Sequence, residues 1–287
     1  MEVKQKGSAL GHKIVLFIYK LFGYKFVAFI LNFVSLYYVI FAQSTKHSLQ
    51  SYYEHLDIKL TNYQFFCHIK LFAFSIFDRF ISRIKPDELT LVKDNRDVFQ
   101  AMYNTGGIVL FSHFGAWSVA SHSLSDNTSK VHVVMRESTK QEISKVEHTT
   151  QRKNESHVNI IDLNKGAIAA NIQIANAIMN KEIVAMMVDR ISDKSKTIEV
   201  EFLNDKVRIN KNPFDIAKRL NTSIVAVFVI NIGVAKYNIK FEKVDTKDKT
   251  LDEIAQNYMN ILEIMVKNNP KQWYNFYDFF NKKGSNK

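Results

Sequence analysis

Cysteine, proline and glycine are all scarce in this chain, at 1 Cys, 3 Pro and 9 Gly in 287 residues. The single Cys67 excludes a disulfide scaffold and a cysteine-built zinc site, and reads as a small buried hydrophobe rather than a nucleophile. No Pro/Gly-rich linker divides the chain, and no internal repeat runs through it. Three phosphate and nucleophile templates are missing as well. There is no Gly-x-x-x-x-Gly-Lys run, no Gly-x-Gly-x-x-Gly and no Gly-x-Ser-x-Gly, and Gly106-Gly107 precedes an apolar run instead of opening a helix. Acidic residues are outnumbered, 28 Asp+Glu against 39 Lys+Arg, which leaves a formal charge of +11. That balance calls for an anionic partner: nucleic acid, a phosphate-bearing metabolite or an acidic membrane surface. No basic helix and no aromatic-plus-arginine sheet motif accompanies the charge, so nucleic acid is not expected. At 46% hydrophobic residues the chain is not disordered, and it is long enough for a sizeable core.

What is present falls into two textures. From Phe26 to Ser44 there is no charged side chain, and the run is close to the length that spans hydrocarbon. It lacks a small-residue cleavage site and continues into Tyr37-Tyr38, so a cleaved signal peptide does not fit. Lys13, Lys20 and Lys25 before it, with tyrosines at both ends, suit an interfacial hairpin or one anchoring helix. A buried first helix of a soluble domain is the plainer alternative. Residues 1–45 are therefore assigned to a membrane-associating helical segment and 46–287 to a folded domain.

Residues 45–85 are aromatic-rich and free of Pro and Gly until Lys85-Pro86, which predicts helices that end there. Beyond Thr90, short β-branched runs alternate with helical spacing. The runs are Gly107–Phe111, Val131–Met135, Val158–Ile161, Ile183–Val188, Ile198–Phe202 and Ser223–Ile230, with helices over Lys165–Met179 and Pro213–Leu220. The pattern predicts an α/β fold, with one mostly buried central sheet flanked by helices.

Chemistry concentrates at Phe111-Ser112-His113-Phe114-Gly115-Ala116-Trp117-Ser118. A buried strand ends at a histidine, and Gly115 lets the chain turn. This puts an imidazole at the carboxyl edge of a sheet, where it can take a proton from a hydroxyl near neutral pH. On spacing alone such a histidine is as often structural as catalytic. His122, His132, His148 and His157 show no ligand-like spacing.

The stretch His113 to Ser118 resembles the His-x-x-x-x-Glu/Asp box of the lysophospholipid acyltransferase superfamily, in the form used by the lipid A late-acyltransferase branch. Val188-Asp189-Arg190 is similar to that branch's strand-ending Asp-Gln or Asp-Arg pair. Val200–Asp205, Asn212–Ala217 and Ile224–Val229 resemble the segments that follow in the branch. Gly7–Gly11, Phe77-Asp78-Arg79 and the aromatic box Trp273–Phe280 resemble a subfamily of predicted acyltransferases often encoded beside aryl-polyene or other fatty-acyl biosynthetic genes.

The resemblance implies transfer of a fatty acyl group from an acyl-carrier-protein or acyl-CoA thioester to a hydroxyl of a lipid or glycolipid. It implies no metal, no cofactor and no covalent acyl-enzyme, on the cytoplasmic face of the inner membrane. His113 is then the general base. Arg136 resembles the branch's basic residue near the acceptor's phosphate, with a solvated surface arginine as the alternative; Asp189 can hold Arg190 in a bidentate grip on a substrate phosphate, with a structural ion pair as the alternative. Phe77-Asp78-Arg79 supports the core, and the Trp273–Phe280 box is packing that closes the fold. One departure stands out, because the superfamily's carboxylate position holds Ser118, which brings no charge. Three readings stay open: a working variant oriented by Ser118, a carboxylate supplied from elsewhere in the fold, or a non-catalytic lipid-binding or scaffold protein.

Overall fold

The computed structural model of the protein describes residues 9–119, 129–136, 158–191, 194–277 and 279–280. Gly7, Ser8, His122, His148, His157 and Asp278 lie outside the described residues. Three helices come first: α1 (Ala9–Phe41), α2 (Gln43–His55) and α3 (Asn62–Ile84). A capping box opens α3, with the Gln64 amide donating to Thr61 Oγ1 at 3.1 Å and the Thr61 amide to Gln64 Oε1 at 2.8 Å. It ends where Pro86 forbids helical geometry at Lys85, as the sequence predicts.

A seven-stranded sheet follows in the spatial order β1 (Thr90–Asp94), β9 (Lys236–Val244), β8 (Ile224–Gly233), β2 (Gly107–Phe111), β5 (Ile183–Met187), β3 (Val131–Met135) and β4 (Val158–Asp162). Neighbours are parallel except β8 and β9, which form an antiparallel pair. Helices α4 (Arg96–Thr105), α5 (Ala167–Met179), α6 (Asn212–Arg219) and α7 (Leu251–Asn268) complete the layers. The pleat sorts β2 between two cores. Ile108 and Leu110 pack with α5, α6 and α7 on one face, and Val109 and Phe111 with α1, α3 and α4 on the other. Burial on both faces explains why the central strands read as unbroken apolar runs.

The run Ile198–Phe202 does not join this sheet. It lies in β6 (Thr197–Phe202), which pairs with β7 (Asp205–Asn210) in a separate hairpin. Leu203 and Asn204 turn it with φ of 52° and 62°, the left-handed pair that a tight hairpin requires. Ile198, Val200 and Phe202 face the core while Glu199 and Glu201 face out, which is the alternation of a one-sided sheet.

Helix α1 includes a stretch, Lys13–Phe41, long and apolar enough to cross a membrane. It breaks at Gly23, whose φ of 74° lies outside helical space. On both sides of the break one face of α1 is docked on the domain. Tyr19, Val27, Leu31 and Ser35 are buried, and the rings of Tyr19 and Tyr24 lie 6.0 and 5.3 Å from that of Phe77 on α3. The opposite face exposes Phe17, Leu21, Phe22, Phe29, Phe33, Leu36, Ile40 and Phe41.

Under that contact lies Asp78, wholly buried on α3. It accepts hydrogen bonds from the hydroxyls of Tyr24 on α1, at 2.9 Å, and Tyr237 on β9. Burial pushes its carboxyl up to about 6, with the Tyr237 and Tyr24 hydroxyls opposing the shift. The folded value lies above the ordinary one, so the native state holds the proton more tightly than the unfolded chain. Its contribution is complete below about pH 4 and is lost as pH rises to about 6, a change of about 3 kcal/mol. Asp78→Asn, neutral at every pH, should therefore remove that decline from the stability–pH profile measured by urea denaturation in detergent. A variant profile parallel to wild type between pH 4 and 6 would place the proton on another group.

Candidate active site

The site is assembled where two buried parallel strands, β2 and β5, end side by side. The Val188 amide donates to the Phe111 carbonyl at 3.0 Å, which carries the pairing one residue past the end of β5. The next side chains at that edge are His113 and Asp189. His113 Nδ1 lies 2.7 Å from Asp189 Oδ1, and the His113 backbone amide donates to Asp189 Oδ2, also at 2.7 Å. Asp189 is fully buried, whereas 19% of the His113 side chain is exposed. One carboxylate thus holds both the ring and the backbone of the histidine, and Nε2 is the ring nitrogen left to face a substrate.

Two further donors reach Asp189 from the aromatic box. Trp273 Nε1 donates to Oδ2 at 3.0 Å, and the Tyr277 hydroxyl donates to the Asp189 backbone carbonyl. Burial alone would push the Asp189 carboxyl up. The charge of His113, its two hydrogen bonds and the indole N–H outweigh burial and hold the carboxyl below the ordinary carboxylate range. An ionised, buried acceptor on Nδ1 selects the tautomer that carries its proton there and leaves Nε2 basic. That is the arrangement of the histidine–aspartate pair in serine hydrolases.

The histidine is clamped from its other side as well. The Tyr274 amide donates to the His113 carbonyl at 2.7 Å, the Gly115 amide to the Gln272 carbonyl at 2.6 Å, and the Ala116 amide to the Val229 carbonyl on β8 at 2.9 Å. Gly115 has φ of 64°, and a Cβ there would sit 1.9 Å from the Val229 oxygen. Only glycine fits this turn.

The other candidates divide. Asp189, expected to hold Arg190 against substrate, is committed to His113 instead, because the parallel register of β2 and β5 brings the two strand ends together. Arg190 is exposed one residue further on. Arg136 follows β3 and is exposed too. Extending the β3–β5 register from Val133↔Ala185 sets it level with Val188, two strands and roughly 10 Å from the strand of His113. Ser118 lies half-buried in the 3₁₀ turn Trp117–Val119, five residues along from an imidazole whose Nδ1 is already taken by Asp189. Asp78 belongs to the α1–α3–β9 junction, and His132 pairs with Glu182 at 2.7 Å on β3. His68 belongs to no motif in the sequence. It is fully buried against Tyr53, and burial pushes it down to about 3, so it stays neutral.

At its carboxyl edge the mixed α/β sheet thus carries a fully buried acid in contact with a partly exposed histidine. The chain belongs to the bacterial lipid A biosynthesis acyltransferase family, whose sequence model matches residues 70–282. The family is one of acyltransferases of lipid biosynthesis, and the matched span includes the histidine, the aspartate and all of the aromatic box. A search of curated proteins finds no match.

Gly115 gives a test of the clamp that needs no substrate. Gly115→Ala forces a methyl into a backbone oxygen and should cost about 2–4 kcal/mol or prevent folding. A variant with wild-type melting temperature would show that the turn can rearrange.

Proposed function

We propose that the protein is a membrane-associated O-acyltransferase in which His113 and Asp189 are the catalytic pair. The observation that carries this reading is the Asp189 carboxylate on His113 Nδ1. A carboxylate from the end of β5 supplies what the superfamily places five residues after the histidine. The non-catalytic alternative rests on Ser118, and the Asp189 contact with the ring supports the catalytic reading over it.

In the proposed reaction, His113 Nε2 removes the proton from an acceptor hydroxyl as its oxygen attacks the thioester carbonyl carbon. The tetrahedral adduct collapses, the carbon–sulfur bond breaks, and the departing thiolate takes the proton back from the imidazolium. Asp189 stabilises the imidazolium and does not itself take the proton. Arg136 and Arg190 stand at neighbouring strand ends and suit a phosphate of the donor or the acceptor. The donor is an acyl-carrier-protein or acyl-CoA thioester, and the acceptor a lipid or glycolipid. The chain's net charge of +11 favours an acidic carrier and an anionic membrane surface.

Acyl transfer from a labelled acyl-carrier thioester into membrane lipid tests this directly. His113→Ala should lower turnover by about 10²–10⁴-fold. Asp189→Asn should cost a similar factor, because an amide stabilises the wrong tautomer. Ser118→Ala should cost less than about tenfold, the worth of one neutral hydrogen bond. Ser118→Glu should bring no gain, since the single Nδ1 proton is already accepted. Wild-type rates in His113→Ala would end the catalytic reading. Arg190→Lys keeps the charge but loses the planar fork, and should raise KM for a phosphorylated acceptor. Unchanged KM in Arg190→Lys and in Arg136→Ala would leave both residues without a substrate role.

The membrane helix is proposed to lie in the plane of the cytoplasmic leaflet of the inner membrane. One face of α1 is docked on α3 on both sides of Gly23, and the opposite face is apolar, with Lys13, Lys20 and Lys25 exposed and no acidic residue from Ala9 to Phe41. A crossing helix would have to project from the domain that α1 runs along. Both ends of α1 should therefore react with a membrane-impermeant maleimide from the side that holds the domain. This can be scored in proteoliposomes of single-cysteine variants at positions 11 and 43, the second just past the end of α1, with Cys67 replaced. Labelling of position 11 from the opposite side alone would establish a crossing.

A further inference from the structure

We infer that Trp273 and Tyr277 are positioning residues that aim Asp189 at His113, so that the aromatic box works as part of the proton-transfer machinery as well as packing. This rests on the reading of His113 and Asp189 as the catalytic pair. Asp189 Oδ1 takes the imidazole, and Oδ2 takes two donors, the His113 amide at 2.7 Å and the Trp273 indole at 3.0 Å. A carboxylate gripped at only one oxygen can rotate about its Cβ–Cγ bond. Fixing Oδ2 from two directions sets the carboxylate plane, and hence the direction in which Oδ1 faces Nδ1. The Tyr277 hydroxyl fixes the Asp189 main chain by donating to its carbonyl, so Cα and carboxylate are both restrained.

The box is well placed for this job. Trp273 is 1% exposed, and Phe114, next to His113, forms a bridge with it. Its ring packs edge-on against Tyr52, Phe202 and Phe279, at 4.9, 5.3 and 5.0 Å, which leaves the indole N–H a single direction. Packing alone calls for no nitrogen at this position, because a naphthyl or benzothienyl ring would fill nearly the same space. The indole N–H instead ends on the most buried acid of the site.

The test separates aiming from packing. Trp273 is replaced by Phe and by benzothienylalanine, which keeps the indole shape but carries sulfur in place of N–H, and Tyr277 by Phe. Each full-length variant is measured for kcat, KM and melting temperature, and by NMR for the His113 Nδ1–H proton. The expected result is a fall in kcat of about tenfold to a hundredfold, with KM within about twofold. The Nδ1–H resonance should shift or broaden in both isosteric variants, benzothienylalanine at 273 and Phe at 277, while melting stays near wild type. An unmoved resonance in both would overturn the inference, with or without a loss of kcat, and assign the box to packing. The resonance is read without substrate. Should the wild type transfer no acyl group, the functional reading would fall and the NMR arm would still decide the inference.

Discussion

The arrangement depends on one buried carboxylate. Fully desolvating an ionised Asp189 costs several kcal/mol, and the fold offsets this with a cationic or hydrogen-bonding imidazole, a backbone amide and an indole N–H. These donors come from two distant parts of the chain, the end of β2 and the segment after α7. The pair therefore exists only when the sheet, the C-terminal box and the turn at Gly115 are all in place. Site and fold stabilise each other, and loss of either carboxylate oxygen's partners exposes the cost of the other.

That dependence explains what could be read from the sequence. The apolar runs at Gly107–Phe111, Val131–Met135 and Ile183–Val188 were legible because strands buried on both faces carry no polar interruptions. Strand β9 was not, since Lys236, Lys240 and Glu242 alternate with the buried Tyr237, Ile239 and Phe241 and dilute the signal. β1 is a short edge strand with an exposed Val92, and β7 is a one-sided hairpin arm rich in charge. His113 was legible as a histidine at a strand end. Its acid was not, because 76 residues separate His113 from Asp189 and only the parallel β2–β5 register joins them. The local box drew attention to position 118, five residues away, while the partner lay one strand over. The aromatic box around Trp273 was legible as a motif, but the bond its indole N–H makes was not, as a polar N–H inside an aromatic run has no spacing to betray it.

The first helix is tied to the sheet. Tyr24 on α1 and Tyr237 on β9 meet at the same carboxyl of Asp78, so the apolar helix is bonded through α3 to the strand layer. The same core holds Phe111 and Ala116, on either side of His113. A helix in the leaflet plane, joined in this way, would keep the histidine's edge of the sheet at a fixed height above the lipid. For an acceptor that never leaves the bilayer, such a constraint replaces part of the orientational search that a free enzyme would face.

In the proposed reaction a serine can stand five residues after the histidine, and the reason follows from counting protons. A neutral imidazole has one N–H, and if it is to act through Nε2 that proton must sit on Nδ1. One carboxylate is enough to fix it, and a second beside it would add like-charge repulsion without a donor to accept from. With Asp189 buried on Nδ1 and held by the Trp273 indole, position 118 is relieved of charge, and a half-buried 3₁₀ turn can carry a hydroxyl there without leaving the imidazole unoriented. What matters to the proposed reaction is which nitrogen the acid touches and how firmly it is held there. The place of that acid along the chain is secondary.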